Sequence, residues 1–184
     1  VVGQADEKAI DAALTLAKET FENVMKKMPA YKRSEILAKT SQLILSNIED
    51  MAQTIALEGG KPIKDARVEV SRAANTFAIA SREALRLDGE QLQMDTNAGN
   101  EARIGMILRE PIGVIAAVTP FNFPLNLVAH KLAPAIAAGN TVVLKPSSQT
   151  PGSSFKLAEL PKQAGLPDGA LIVTPCRGSQ GNAL

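Results

Sequence analysis

Between residues 111 and 174 the chain alternates short apolar runs with helical segments, and this alternation leaves few folds open. "GVIAAVT" (Gly113–Thr119) and "TVVLK" (Thr141–Lys145) are nearly unbroken apolar runs, as in strands buried on both faces. "GALIVT" (Gly169–Thr174) is a third, introduced by the turn Leu166-Pro167-Asp168-Gly169. Between the first two, "PLNLVAHKLAPAIAAG" puts Pro124 at an expected first helical position and Gly139 at an expected C′ position. Pro134 inside it should kink the helix or weaken one turn. "PGSSFKLAELPKQAG" (Pro151–Gly165) reads as a second helix whose end Pro161 should distort. The order is β-α-β-α-β. Helical crossovers between parallel strands are right-handed almost without exception, so the three strands should form one parallel sheet. The expected class is α/β, a Rossmann-like parallel sheet flanked by helices.

Amphipathic helices precede this unit. Ile10, Leu14, Ala17, Phe21, Val24 and Met28 recur at steps of three and four, predicting a helix from Asp6 to about Met28, ended by Pro29. A second helix is expected from Lys32 to Asp50, and a short third from Met51 to Glu58, before the breaker Gly59-Gly60. A fourth should run from Asp65 to about Leu87 and stop at Asp88-Gly89. These helices fit either a bundle or the outer layer of something larger. The period then changes: residues 92–109 alternate in part around the turn formers Asn97-Ala98-Gly99-Asn100, predicting a hairpin or strand pair with an exposed edge.

Composition excludes several classes. Net charge is +1, from 20 basic and 19 acidic side chains, without the basic excess of a dedicated nucleic-acid binder. No apolar run approaches the ~20 residues needed to span a bilayer. One cysteine and one histidine make neither an internal disulfide nor a Cys/His metal site. The first residues lack the charged-then-apolar layout of a signal peptide, so the expectation is a cytoplasmic protein. The chain starts without Met and stops at Leu184 within what reads as unfinished structure, as a fragment would.

In an open parallel sheet, ligands bind beyond the carboxyl ends of the strands. Two residues of interest lie there: Asn122, after the strand ending at Thr119, and Lys145, which closes the next strand. Pro120 and Pro124 restrict the backbone around Asn122. An amide held this way can donate to a developing oxyanion. Lys145 can donate to sugar hydroxyls or attract phosphate, with the hydroxyls of Ser147 and Ser148 beside it. Plainer readings compete, since an Asn between prolines often satisfies its own turn and a strand-end Lys is often a solvated terminus. Their coincidence at one edge favours function.

The stretch "TPFNFPLNLVAHKLAPAIAAGNTVVLKPSSQTP" resembles the signature region of the aldehyde dehydrogenase superfamily, which reads Pro-(Trp/Phe)-Asn-(Phe/Tyr)-Pro, Ala-Gly-Asn, Lys-Pro. "EGGKPIKDARVEV" (Glu58–Val70), "REPIGVIAAVTPFNFP" and "GLPDGALIVT" extend the resemblance over nearly the whole chain. The resemblance implies an NAD(P)-dependent oxidation of an aldehyde to a carboxylic acid through a cysteine thiohemiacetal. It implies that Asn122 contributes its amide to the oxyanion hole and that Lys145 contacts the adenine-side ribose. Val118, Thr119, Pro120 and Phe121 would line the cofactor channel, and Gly178 would approach a phosphate. Ser148 stands where NAD-preferring members carry Glu, which implies tolerance of NADP. Lys131 aligns with a lysine near the family's active site, whereas His130 reads as an ordinary helix residue. The implied organisation is residues 1–92 as N-terminal helices of the cofactor-binding domain, 93–110 as an oligomerisation strand pair, and 111–184 as the incomplete βαβαβ part. A homodimer or homotetramer follows, with a small aldehyde as the partner molecule.

The pattern also departs from the family. Its Glu-Leu-Gly-Gly and Gly-Gln-x-Cys segments, which carry the general base and the nucleophile, are not in this sequence. Cys176, in "VTPCRGSQGNAL", has no base nearby and reads as a non-catalytic loop cysteine. The chain alone is therefore expected to be inactive, its catalytic cysteine lying outside it. A non-catalytic nucleotide-binding or pseudoenzyme module is the alternative, and a purely structural α/β module is a third reading. Semialdehydes, lactaldehyde, glyceraldehyde 3-phosphate and simple aliphatic aldehydes all remain open as substrates.

Overall fold

The computed structural model describes residues 3–176. Helix α1 (Glu7–Asn23) starts where Asp6 accepts from the Ala9 N–H at 2.8 Å. The helix does not continue to Met28 as expected. The backbone turns at Val24 into a 3-10 turn, Met25–Lys27, which buries Met25 and leaves Val24 exposed. Helix α2 (Ala30–Ser46) stops at Asn47, whose side-chain amide donates to the Leu43 carbonyl at 2.7 Å. Residues 48–50, expected to end α2, instead open α3 (Ile48–Gly59), which closes on the left-handed Gly60 at φ 64°. Helix α4 (Ile63–Glu83) follows Pro62 and ends four residues short of Leu87.

Strands β1 (Glu90–Leu92) and β2 (Gly105–Ile107) form an antiparallel pair, with Gln91 opposite Met106. The first strand begins two residues earlier than Leu92. The βαβαβ unit then follows as β3 (Val114–Val118), α5 (Asn126–Ala137), β4 (Thr141–Lys145), α6 (Pro151–Ala164) and β5 (Leu171–Val173). Its sheet is parallel in the order β3-β4-β5.

The central strand β4 explains its own apolar run. Val143 packs with Ala13 and Ala17 of α1 on one face. Val142 and Leu144 join the larger core with Leu132, Ile136 and Leu157 on the other. The helix end at Gly139 is legible chemistry. With φ 87° there, Gly139 N–H donates to Ile136 O and Asn140 N–H to Ala135 O, both at 3.0 Å, the Schellman pattern. The Asn140 carboxamide oxygen then accepts from Gly113 N–H at 2.9 Å, tying that helix end to the start of β3. Arg33 from α2 reaches the same helix end, donating to Ala137 O at 2.9 Å, and burial pushes its guanidinium pKa below the usual value.

Proline behaves differently from expectation at one position. Pro124 is not the first residue of α5, which begins at Asn126 with Leu125 at its N-cap. Pro134 and Pro161 both sit inside continuous helices.

Candidate functional site

The carboxyl ends of β3 and β4 lie side by side. Val118 pairs with Lys145 in register, and the Thr119 N–H donates to the Lys145 carbonyl at 3.2 Å. This pairing sends two loops from one rim: residues 119–125 toward α5 and residues 146–150 toward α6. Val118 at the end of β3 and Pro120, Phe121 and Asn122 along the first loop are exposed. The Asn122 side-chain amide makes no hydrogen bond among the described residues. Thr119 is buried, and its hydroxyl oxygen has no hydrogen-bond partner among the described residues.

Lys145 is not the solvated strand terminus of the plainer reading. Only 7% of the residue is exposed, and its ammonium donates to the neighbouring Pro146 carbonyl at 3.3 Å. No carboxylate pairs with it among the described residues. A cation withdrawn from water with one weak acceptor keeps donor capacity for a ligand. Ser147 Oγ accepts from Gln149 N–H at 3.2 Å, which ties it into its own turn. Ser148 is exposed and borders a cavity of about 50 Å³ with Pro146, Pro151, Pro175 and Cys176. That cavity lies beyond the carboxyl ends of β4 and β5, where an open α/β sheet takes a nucleotide. Gly178 lies outside the described residues. Cys176 is buried and unpaired, at the β5 side of that cavity. His130 and Lys131 are exposed on α5. Among the described residues no group of His, Cys, Asp or Glu could hold a metal ion, and no helix is long and apolar enough to cross a membrane.

Both helices leaving this rim have their first amides capped from far away in sequence. At α5 the buried carboxylate of Glu69 accepts from Leu125 N–H at 2.9 Å and Asn126 N–H at 3.1 Å. Its second oxygen takes the Lys61 ammonium, which also donates to the Asn122 carbonyl at 2.9 Å. Lys61 stands 4.1 Å from the centre of the Phe123 ring, a cation–π distance. At α6, Glu58 accepts from Gly152 N–H at 2.6 Å and Ser153 N–H at 3.0 Å. Thr150, the residue type that usually caps a helix, is at the N-cap, yet its hydroxyl has no partner among the described residues, and Glu58 holds the amides it could have capped. Beside the Asn122 loop a cleft of about 500 Å³ is lined by Lys61, Asp65, Glu69, Arg72 and Phe123 among others. No carboxylate pairs with the Arg72 guanidinium among the described residues.

The sequence model of the aldehyde dehydrogenase family matches residues 1–184. The chain belongs to that family. It is 44% identical over 179 residues to a 3-sulfolactaldehyde dehydrogenase of Priestia aryabhattai, covering 97% of this chain and 37% of that protein. The chain thus spans about a third of the length of the curated relatives it matches. Aldehyde dehydrogenase 21 from Physcomitrella patens, solved in complex with the reaction product succinate, matches with TM-score 0.94 at 43% identity, over 98% of this chain and 38% of that one. The NADP-dependent glyceraldehyde-3-phosphate dehydrogenase of Bacillus halodurans C-125, complexed with NADP, gives TM-score 0.94 at 37% identity, over 99% and 38%. The fold is that of the aldehyde dehydrogenases, in part.

Sequence reasoning reached the rim residues but gave no role to Glu58, Lys61 or Glu69, although all three lie in the family-like stretch "EGGKPIKDARVEV". A signal for Glu69 existed. It falls on the helical stripe Ala66, Val70, Ala73, Phe77 that faces the core, where a carboxylate needs a partner. The segment Pro124-Leu125, offering no capping side chain to the following helix, was the complementary signal.

Proposed function

We propose that the polypeptide to which these residues belong oxidises an anionic aldehyde to its carboxylic acid with NADP or NAD, through a thiohemiacetal on a cysteine outside this chain. The observation that carries the reading is an exposed, unengaged Asn122 amide on the same rim as the buried Lys145, within an aldehyde dehydrogenase fold. The residues fit a dinucleotide. Lys145 and the unpartnered Thr119 hydroxyl would bind ribose or phosphate oxygens, Ser147 and Ser148 would border the adenine-side ribose, and Val118, Pro120 and Phe121 would line the channel. A bound nicotinamide supplies the hydride acceptor. Asn122 donates its amide N–H to the carbonyl oxygen as that oxygen gains negative charge, an interaction typically worth about 2.7–4 kcal/mol.

Anionic substrates are favoured by Arg72, whose guanidinium lines the cleft beside Asn122 with no carboxylate partner among the described residues. Relatives named for a sulfonated aldehyde, for glyceraldehyde 3-phosphate and by the product succinate share that charge on the substrate. The test measures aldehyde-dependent NADP and NAD reduction by the full-length protein, with succinic semialdehyde and with uncharged butanal. Higher kcat/KM for the semialdehyde, lost on Arg72→Met while butanal is unaffected, is the expected result. No reduction with either aldehyde overturns the reading.

Cofactor choice rests on Ser148, which is exposed at the cavity rim and carries no charge to repel a 2′-phosphate. Ser148→Glu should shift the dissociation constants toward NAD, and an unchanged NADP/NAD ratio would remove Ser148 as the determinant. The strand pair β1–β2 exposes Ile104, Met106 and Leu108, with Ile112 just beyond. An exposed apolar face of this kind suits burial against a second subunit, giving a homodimer or homotetramer. The near-zero net charge supports a lack of nucleic-acid partners, and residence in the cytoplasm is part of the same proposal.

A further inference from the structure

Two prolines flank Asn122, but they fix φ only at residues 120 and 124. The peptide between Asn122 and Phe123 needs another restraint if the side-chain amide is to hold one direction. Lys61 supplies it. Its ammonium donates to the carbonyl of that peptide at 2.9 Å and lies 4.1 Å from the centre of the next ring, Phe123. The ammonium is in turn held by Glu69, whose other oxygen is fixed by two α5 amides at 2.9 and 3.1 Å. The pair is largely withdrawn from water, with side chains 18% and 1% exposed. Such pairs seldom add much net stability over apolar packing, and capping α5 accounts for Glu69 but not for the contact of Lys61 with the loop.

We infer that Lys61 and Glu69 are a positioning pair that sets the direction of the Asn122 amide for a carbonyl oxygen. The inference rests on the oxyanion reading of Asn122 given above. Neither residue touches substrate in this role. The chain of contacts runs from the α5 N-terminus to the carboxylate, to the ammonium, to the peptide that carries the donor. Glu58 provides the internal contrast, since it caps α6 in the same way but makes no hydrogen bond or ion pair with the Asn122 loop among the described residues.

The test is a double-mutant cycle on the full-length protein, reading kcat with a saturating aldehyde and the dissociation constant of NADP. Lys61→Met should lower kcat by about 10- to 100-fold, the scale of a small misplacement of a reacting group. NADP dissociation should stay within about twofold. In an Asn122→Ala background the same Lys61→Met change should alter kcat by less than about twofold, because no amide remains to be aimed. An equal factor in both backgrounds would overturn the inference while leaving the aldehyde reading intact. Wild-type protein without aldehyde-dependent reduction would overturn both. Glu69→Gln covers the case in which Lys61→Met does not fold, since it keeps an acceptor for the α5 amides and removes only the charge that holds Lys61. Its melting temperature should fall, because the Lys61 ammonium loses its carboxylate, and its kcat should fall with NADP dissociation held within about twofold; a lower melting temperature with unchanged kcat would make the pair a cap alone and end the proposal.

Discussion

The two turns that leave the sheet rim are capped alike and differ in what the capping carboxylate also holds. Each follows a parallel strand, each opens a helix, and each has its first amides held by a glutamate from the helical layer, Glu69 at α5 and Glu58 at α6. At the α6 turn the carboxylate does nothing further, and it displaces the local cap that Thr150 could have supplied. At the α5 turn it also holds a lysine, and the lysine holds the loop. A capped helix start has its amide groups already satisfied, so neither α5 nor α6 offers a free N-terminus to a cofactor phosphate. On the proposed reading, anion binding at this rim would fall to side chains such as Lys145.

The contrast can be broken by removing each carboxylate. Glu69→Ala strands a mostly buried ammonium and two buried amides, and should cost about 3–5 kcal/mol in chemical denaturation. Glu58→Ala removes a cap and should cost about 1–2 kcal/mol, with turnover of the full-length protein unchanged. Equal costs would make the two turns equivalent. Next in size is Gly152→Ala. A Cβ there would sit 2.6 Å from the Glu58 oxygen that Gly152 itself binds, so the cap must shift, at about 1 kcal/mol. An unchanged melting temperature would show that Glu58 caps loosely.

Smallest is the exposed pair Arg67–Glu49. It has bidentate geometry at 2.7 and 2.9 Å, and the guanidinium holds the Glu49 carboxyl pKa below its usual 4.5. A depressed carboxyl stabilises the fold above the unfolded-state value and loses that contribution as pH falls through the folded one. Arg67→Gln should therefore leave stability near neutral pH almost unchanged, and any small difference should vanish in acid below that range. A larger loss than at Glu58 would invert the ranking of buried over exposed contacts.

What the sequence makes legible is local. The apolar run of β4 encodes a strand covered on both faces, because Val143 and its neighbours Val142 and Leu144 each find a helix. Gly139 encodes the helix stop, since only a residue tolerant of positive φ closes that motif cheaply. The rim position of Asn122 and Lys145 follows from strand order alone. The start of α5 was misjudged because the cap that defines it comes from Glu69, 56 residues earlier in the chain. The burial of Lys145 was equally hidden, for "LKPSS" shows a charge and says nothing of the segments that fold over it. Contacts between distant segments leave only indirect traces, such as a glutamate on an otherwise apolar helical stripe.

The most direct measurement is Asn122→Ala in the full-length protein, with kcat and NADP dissociation determined side by side. A fall in kcat of about 10²- to 10³-fold with cofactor binding held within about twofold is expected if the rim amide serves the reacting carbonyl. Turnover equal to that of the wild type would contradict it, and would reduce the α5 turn to the same structural standing as its neighbour at α6.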